Sequence, residues 1–484
     1  MSTPTKGESA LTPNAKSKEY KSKEPEWTKI EAVMGGESAM KYAGTMYLPK
    51  LSGQTDDEYN AYISRGSFFN AFKRTVIGLT GAVVRKEPQI KCPPTVDNLL
   101  PFITLNGESI QEVIRVVIEN QIEYGYFGIL VDAPVVDENQ AKIGSAANPY
   151  FALYPAATIL NLQTKQIGDE SKLVMLCLSE KVDLPSTDNP FVMVSEDRVR
   201  VLTIEGGILV VKVYRKVLQE NNKKEIWEQV GGDMYPKIRG KNWTEIPFVF
   251  FGCISNSPIP EDPPLIDLAN LNIKHWQVNV DYYHGLHYCA LPTPYACGFG
   301  KDTTLYLGAL KAWISEDPTA KCGFLEFTGQ GLEAVVKALE RIEAQMAVMG
   351  ARLLEDQKKA AEAADTVRMH FSGDSATLSS IVNSSEQGFI KALNYLAQWI
   401  GAKESSEVKL NREFVSEKLS AQDITALLQA RQAGEISQDT FLYKLQLGEI
   451  LPADRTIEQE KALAKEQKPF QKENGAIDEN NMGS

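Results

Sequence analysis

The chain has 484 residues, 43% of them apolar, and a formal net charge of −12. That length accommodates two to four domains at roughly 100–200 residues each, with enough apolar side chains to bury real cores. The acidic balance excludes a protein that clings to nucleic acid by its whole surface. No apolar run approaches the ~18 residues of a membrane-spanning helix.

Met1–Glu24 is rich in Lys, Glu, Ser and Pro without an apolar stretch, so residues 1–25 read as a mobile arm and the chain as soluble and unexported. Thr55-Asp56-Asp57-Glu58 predicts a helix start, a capping side chain followed by acids where the dipole favours them. The apolar residues Tyr62, Phe68, Phe69, Phe72 and Val76 carry that helix to about Leu79. A second helix runs from Ser109 to Tyr124 and stops at Gly125, followed by a short strand over Phe127–Asp132.

From about 150 to 260 the pattern turns to strands: Phe151–Leu162, Lys172–Leu178, Val199–Ile204, Ile208–Tyr214, Ile226–Val230 and Ile246–Gly252. Glu205-Gly206-Gly207 predicts a hairpin turn, and Asp183–Pro190 a long polar loop. After the proline-rich Ser255–Pro264, a helix from about Pro264 to Cys289 spaces Ile266, Ala269, Ile273, Trp276, Val280, Tyr283 and His287 by three and four. Residues 290–331 mix glycine with short apolar runs and read as a small α/β insert.

Leu332, Val335, Leu339, Ile342, Met346, Met349 and Leu353 then form three unbroken heptads. So narrow a seam suits one helix packed on one neighbour, and the Pro264–Cys289 helix is the candidate to face it. A polar stretch, Glu355–Asp365, precedes a helix from about Ala376 to Ile400. On that helix Ser380, Ser384, Gly388 and Ala392 make a small-residue stripe suited to close helix–helix approach. Beyond Lys403 a helical subdomain follows, and from about Ile457 the chain reads as charged and frayed.

The chemistry-bearing candidates are sparse. His275, His284 and His287 share one helix near Cys289 and Cys297, but His275 is out of phase with the other two and no Glu-x-x-His accompanies them. Packing among Trp276, Tyr282, Tyr283 and Tyr288 accounts for these imidazoles without a metal. Gly298-Phe-Gly300-Lys301-Asp302-Thr303 lacks the first glycine of a phosphate loop and sets an aspartate where a hydroxyl is needed. No Gly-x-Ser-x-Gly occurs, and six scattered cysteines without a Cys-x-x-Cys read as free thiols. No enzyme activity, cofactor or metal is expected. The competing reading, a metal-dependent enzyme of DNA metabolism, requires a metal on His284, His287 and Cys289.

Several phrases resemble those of tailed-bacteriophage portal proteins, in order along about residues 40–460. They are Leu48-Pro-Lys-Leu-Ser through Pro88, Gly125–Asp132, Pro263–Asn272, His284–Pro294, Gly350-Ala-Arg-Leu-Leu through Ala364, and Gly434–Thr440. The resemblance implies an α+β fold of portal-like architecture: an N-terminal arm (1–25), an α+β wing (26–260) and a first stem helix (261–289). A clip (290–331), a second stem helix (332–353), a tunnel loop (354–364), a long bent helix (365–400), a helical crown (401–456) and a tail (457–484) follow. It implies a ring of about a dozen copies at one capsid vertex, assembled with major capsid and scaffolding proteins in the host cytoplasm. Double-stranded DNA would pass without sequence readout, with Lys358 and Lys359 touching its backbone. Terminase and later head-completion proteins would dock on the clip around Tyr295, Phe299 and Lys301. Another ring-forming head–tail connector component is the nearest alternative. No membrane partner is implied.

Overall fold

In a computed structural model the chain divides into two compact units, Met1–Arg412 and Glu413–Ser484. The structure describes residues 12–134, 148–186, 188–219, 224–238, 240–290, 293–299, 304–306, 312–325, 330–350, 364–402, 406–412, 414, 421–447, 450–451 and 455–466. The fold class is α+β.

The first unit begins with two helices, α1 (Lys18–Met34) and α2 (Gly36–Ala43). The expected mobile arm is therefore corrected over residues 18–25, residues 1–11 lying outside the described residues: α1 starts at Lys18, capped by the Ser17 side chain, and buries Tyr20, Trp27, Ile30 and Val33. Pro25 inside this helix, together with the charged composition, hid its 3–4 periodicity.

The long helix expected from Thr55 to Leu79 is two: α3 (Asp56–Arg65), closed at its start by a Thr55–Glu58 capping box, and α4 (Ala71–Val83). The break is a tertiary demand. A Cβ on Gly66 would lie 2.3 Å from Val280 Cγ2, so the chain turns where another helix presses closest. Strand β1 (Gln89–Lys91) and the single turn α5 (Pro94–Asp97) lead to α6 (Ile110–Tyr124), which has a Ser109–Glu112 capping box and a left-handed Gly125 at its end.

β2 (Tyr126–Asp132) is the central strand of a three-stranded sheet, between β3 (Tyr150–Pro155) and a later strand. The expected strand Phe151–Leu162 is interrupted by a 3-10 turn at Ala156–Thr158, beyond which β4 (Ile159–Ile167) enters a different sheet. That sheet is a five-stranded antiparallel meander of β4, β5 (Glu170–Pro185), β6 (Met193–Glu205), β7 (Ile208–Gln219) and β8 (Lys224–Gln229). Gly206 and Gly207, both at positive φ, make the β6–β7 turn. The polar loop expected at Asp183–Pro190 is shorter, because β5 stays paired through Pro185.

A short pair, β9 (Lys237–Ile238) and β10 (Lys241–Asn242), precedes β11 (Phe248–Gly252), which completes the three-stranded sheet. The two larger sheets are tied by Arg200, whose Nη1 donates to Asp132 at 2.8 Å and whose Nε donates to Glu180 at 2.7 Å. Burial raises the Asp132 carboxyl above its ordinary value, and the guanidinium opposes that rise.

Two long helices follow, α7 (Ile266–Ala290) and, after the pair β12 (Thr293–Cys297) and β13 (Lys321–Leu325), α8 (Gln330–Val348). Next come α9 (Ala364–Ile400) and β14 (Glu407–Lys409), which pairs with β1. Ser384 and Gly388 on α9 face the three-stranded sheet rather than a helix. Ser384 Oγ donates to Gly252 O at 2.6 Å, and a Cβ on Gly388 would lie 2.3 Å from the Phe251 ring. Gln121 of α6 closes this layer, donating to Gly252 O at 2.7 Å and accepting from Ser385 Oγ at 2.6 Å.

The second unit holds α10 (Ala421–Gln432), α11 (Gln438–Leu447) and α12 (Ile457–Glu466). The frayed tail expected from Ile457 is corrected over α12, which is tied to α11 by a Lys461–Asp439 ion pair.

Candidate assembly surface

α7 is 25 residues long, about 37 Å at a 1.5 Å rise. Its first half is core: Leu268, Ala269, Asn272, Ile273, His275, Trp276 and Val280 are buried. Asn272 clamps the start of α4, accepting from Phe72 N at 3.0 Å and donating to Phe69 O at 2.8 Å. From Asp281 onward no α7 residue is buried, and Tyr283, Leu286 and Tyr288 are exposed.

α8 runs antiparallel to α7. A Cβ on Gly285 would lie 2.9 Å from Leu332 Cδ2, and His275 Nε2 lies 3.0 Å from Glu343 Oε1 one helix-half away. Asp267 and Leu271 share a groove with Gln345 and Met349. Of the heptad residues, Ile342 and Met346 are buried, Leu332, Val335 and Leu339 are half-buried, and Met349 is 43% exposed. Leu353 lies outside the described residues. Ile342 and Met346 each contribute about 1.5–3 kcal/mol by burial. This seam faces α7 of the same chain, so a neighbouring copy would have to meet other faces of the pair. The groove at its base, about 580 Å³, is apolar and open to solvent.

Among the described residues of the expected α/β insert stands the antiparallel β12–β13 pair, and much of the rest of the insert lies outside the described residues. Tyr295 is 44% exposed on β12 and Phe324 is 55% exposed on β13, while Phe299 is half-buried. Lys301, Lys358 and Lys359 lie outside the described residues.

The α7 histidines have protein partners. His284 Nδ1 faces Arg65 Nη1 at 3.3 Å, and its ring stands edge-on to Tyr62 and Tyr288. Burial, reinforced by the Arg65 charge, lowers His284 below the ordinary imidazole value. Tyr62 donates to Asp281 at the point where α7 leaves the core. Among the described residues no three His, Cys, Asp or Glu converge as a metal site, and no disulfide forms.

Sequence reading missed the elements that anchor this helix. Lys23 of α1 pairs with Asp262, and Lys29 Nζ donates to Asn270 Oδ1 at 2.7 Å. The signal was available in Tyr20, Trp27, Ile30 and Val33, spaced seven, three and three. It also missed the outward reach of β5 and β6, for which the run Phe191-Val-Met-Val194 was the visible sign.

Among the described residues no helix is long and apolar enough to cross a membrane. No curated protein matches the chain. Its structure is similar to the neck of an empty gene transfer agent particle computed with C6 symmetry, at 13% identity and TM-score 0.41, covering 85% of this chain and 98% of that one. A chain from the virion of the native gene transfer agent particle matches at 13% identity and TM-score 0.38, over 87% and 99% of the two chains. The neck of the native particle computed with C12 symmetry matches at 14% identity and TM-score 0.35, over 78% and 89%. In sequence, residues 264–400, from the start of α7 to the end of α9, match a family described as a domain of unknown function (DUF4055).

Proposed function

We propose that the chain is a portal-type subunit, one copy of a ring that walls a DNA channel at a capsid vertex of a tailed phage or phage-like particle. The observation that carries this reading is the α7–α8 pair. The pair leaves the body after Val280, returns through α8, and encloses a β-pair between its two helices. Its outer half leaves Tyr283, Leu286 and Tyr288 uncovered in a single chain. Apolar surface of that kind on a protruding element calls for a partner, and identical copies side by side supply one. Contacts between unlike faces of identical copies close into rings when the rotation allows.

The chemistry of the channel follows from charge. A chain of net charge −12, repeated around a ring, repels a duplex more than it holds one. DNA therefore slides, with contacts such as Lys358 and Lys359 limited to its phosphates and carrying no sequence information. In this reading the exposed β12–β13 pair with Tyr295 is the face offered to the packaging terminase and then to head-completion proteins. The subunit itself is a conduit and platform, with no catalytic step.

The test is direct imaging of the purified full-length protein. End-on electron micrographs are expected to show rings with a central hole. A monodisperse monomer across the micromolar range overturns the reading.

A further inference from the structure

α3 grips α7 where the longer helix leaves the body. Tyr62 donates its hydroxyl to Asp281, and Ser67 N–H, just past the end of α3, donates to Asn279 Oδ1 at 3.0 Å. From Asp281 onward no α7 residue is buried. The outer half therefore depends on contacts of this kind, together with Leu332 of α8 against Gly285. His284 lies among them.

The chemistry of the Arg65–His284 contact fixes where its proton is. Arg65, the last residue of α3, places Nη1 3.1 Å from Ala61 O and 3.3 Å from His284 Nδ1. A guanidinium has N–H donors and no acceptor, so Nδ1 must accept and the imidazole proton sits on Nε2. Both hydrogens of Nη1 are then used, and the bond to Ala61 O keeps the guanidinium in place. Tyr62 and Tyr288 stand edge-on to the imidazole, each ring centroid 4.9 Å away, which holds its plane.

A proton on Nδ1 removes the acceptor and turns the contact into a like-charge pair. The charged groups acting on the ring are Arg65 from α3 and His287 and Asp281 from α7 itself. Burial first, then Arg65 and His287, hold the imidazole below its ordinary 6.5, and Asp281 opposes them. The neutral ring is the form the folded state prefers. Stability from this contact is therefore complete above about pH 6.5 and lost as pH falls through the lower folded value.

We infer that His284 is an acid-sensitive joint between α3 and the outer half of α7: when Nδ1 takes up a proton, the Arg65 contact breaks and the outer half loosens from α3. Asp281 and Asn279 keep their ties, so the helix is freed beyond its first outer turn rather than detached at its root. All of these contacts lie within one chain, and the joint operates in a monomer and in a ring alike.

The test is amide hydrogen exchange by mass spectrometry on the full-length protein at pH 7.5 and 5.0, with protection corrected for the intrinsic pH dependence of exchange. Protection of residues 281–290 is expected to fall about tenfold in acid, the size of one hydrogen bond to a charged group, while residues 266–280 keep theirs. His284→Gln retains a side-chain oxygen that accepts from Arg65 at either pH and is expected to abolish the fall. His287→Gln is expected to retain it. Equal protection of 281–290 at the two pH values in the wild type, a fall that persists in His284→Gln, or one that His287→Gln abolishes, overturns the joint.

Discussion

Glu123 gives the sharpest quantitative test of the core that holds α7 in place. It sits in the last turn of α6, 7% exposed, with Glu119 one turn before it and the carbonyl end of the helix beside it. Burial, and then the Glu119 charge, push its carboxyl from 4.5 up to about 8, against the opposing pull of Lys73. The protonated form is the one the folded state prefers. Stability from this group is therefore fully present below about pH 4.5, is lost progressively as pH rises toward 8, and stays lost above it. At about 1.4 kcal/mol per pKa unit, the complete loss is about 4–5 kcal/mol.

Glu123→Gln keeps the shape and removes the titration. Urea unfolding of wild type and variant at pH 5, 6, 7, 8 and 9, followed by tryptophan fluorescence, is expected to give a stability difference that grows with pH in the variant's favour. The gain should level off near pH 8 at about 3–5 kcal/mol. Every other titrating group is common to both proteins, so the difference isolates this one. Two parallel profiles, offset by a constant, would refute the assignment of a buried, protonated carboxyl.

Gly388→Val drives a branched side chain into the Phe251 ring, so the first unit is expected to lose about 1–3 kcal/mol in thermal or urea unfolding. Asn272→Ala leaves Phe72 N–H and Phe69 O without their buried partner. A loss of about 1–3 kcal/mol and faster hydrogen exchange at the start of α4 are expected. Replacing both Leu339 and Ile342 with Asp puts charge into the α7–α8 seam. Negative-stain images are expected to show no rings, and limited proteolysis to cut within residues 330–350 while the segment containing α1–α6 and both larger sheets stays intact. Intact rings from that double variant would count against the seam.

Local signals decided a good part of this molecule. The Ser109–Glu112 and Thr55–Glu58 boxes satisfy helix-start N–H groups within four residues, so two helix starts were legible without any tertiary contact. Gly206–Gly207 supplied its turn the same way, and the heptads from Leu332 identified a helix that packs on one other helix. The α+β class follows from the change of period, from helical before residue 125 to alternating beyond 150 and helical again after 264.

Tertiary structure decided what those elements meet. Nothing near Gly66 requires the chain to break there; the requirement comes from Val280, brought against it by folding. The small stripe of Ser384 and Gly388 suits a helix or a sheet equally well, and the position of Phe251 selected the sheet. α1 was masked because Pro25 and a charged composition are local features, whereas the burial that stabilises Trp27 and Ile30 is not. Likewise, the reach of the β5–β6 ribbon depends on where β4 and β7 stop pairing, a fact of sheet register. Capping and turn chemistry act over a few residues and can be read in order along the chain. Close approach, burial and register depend on residues far apart in sequence, and exist only once the chain has folded.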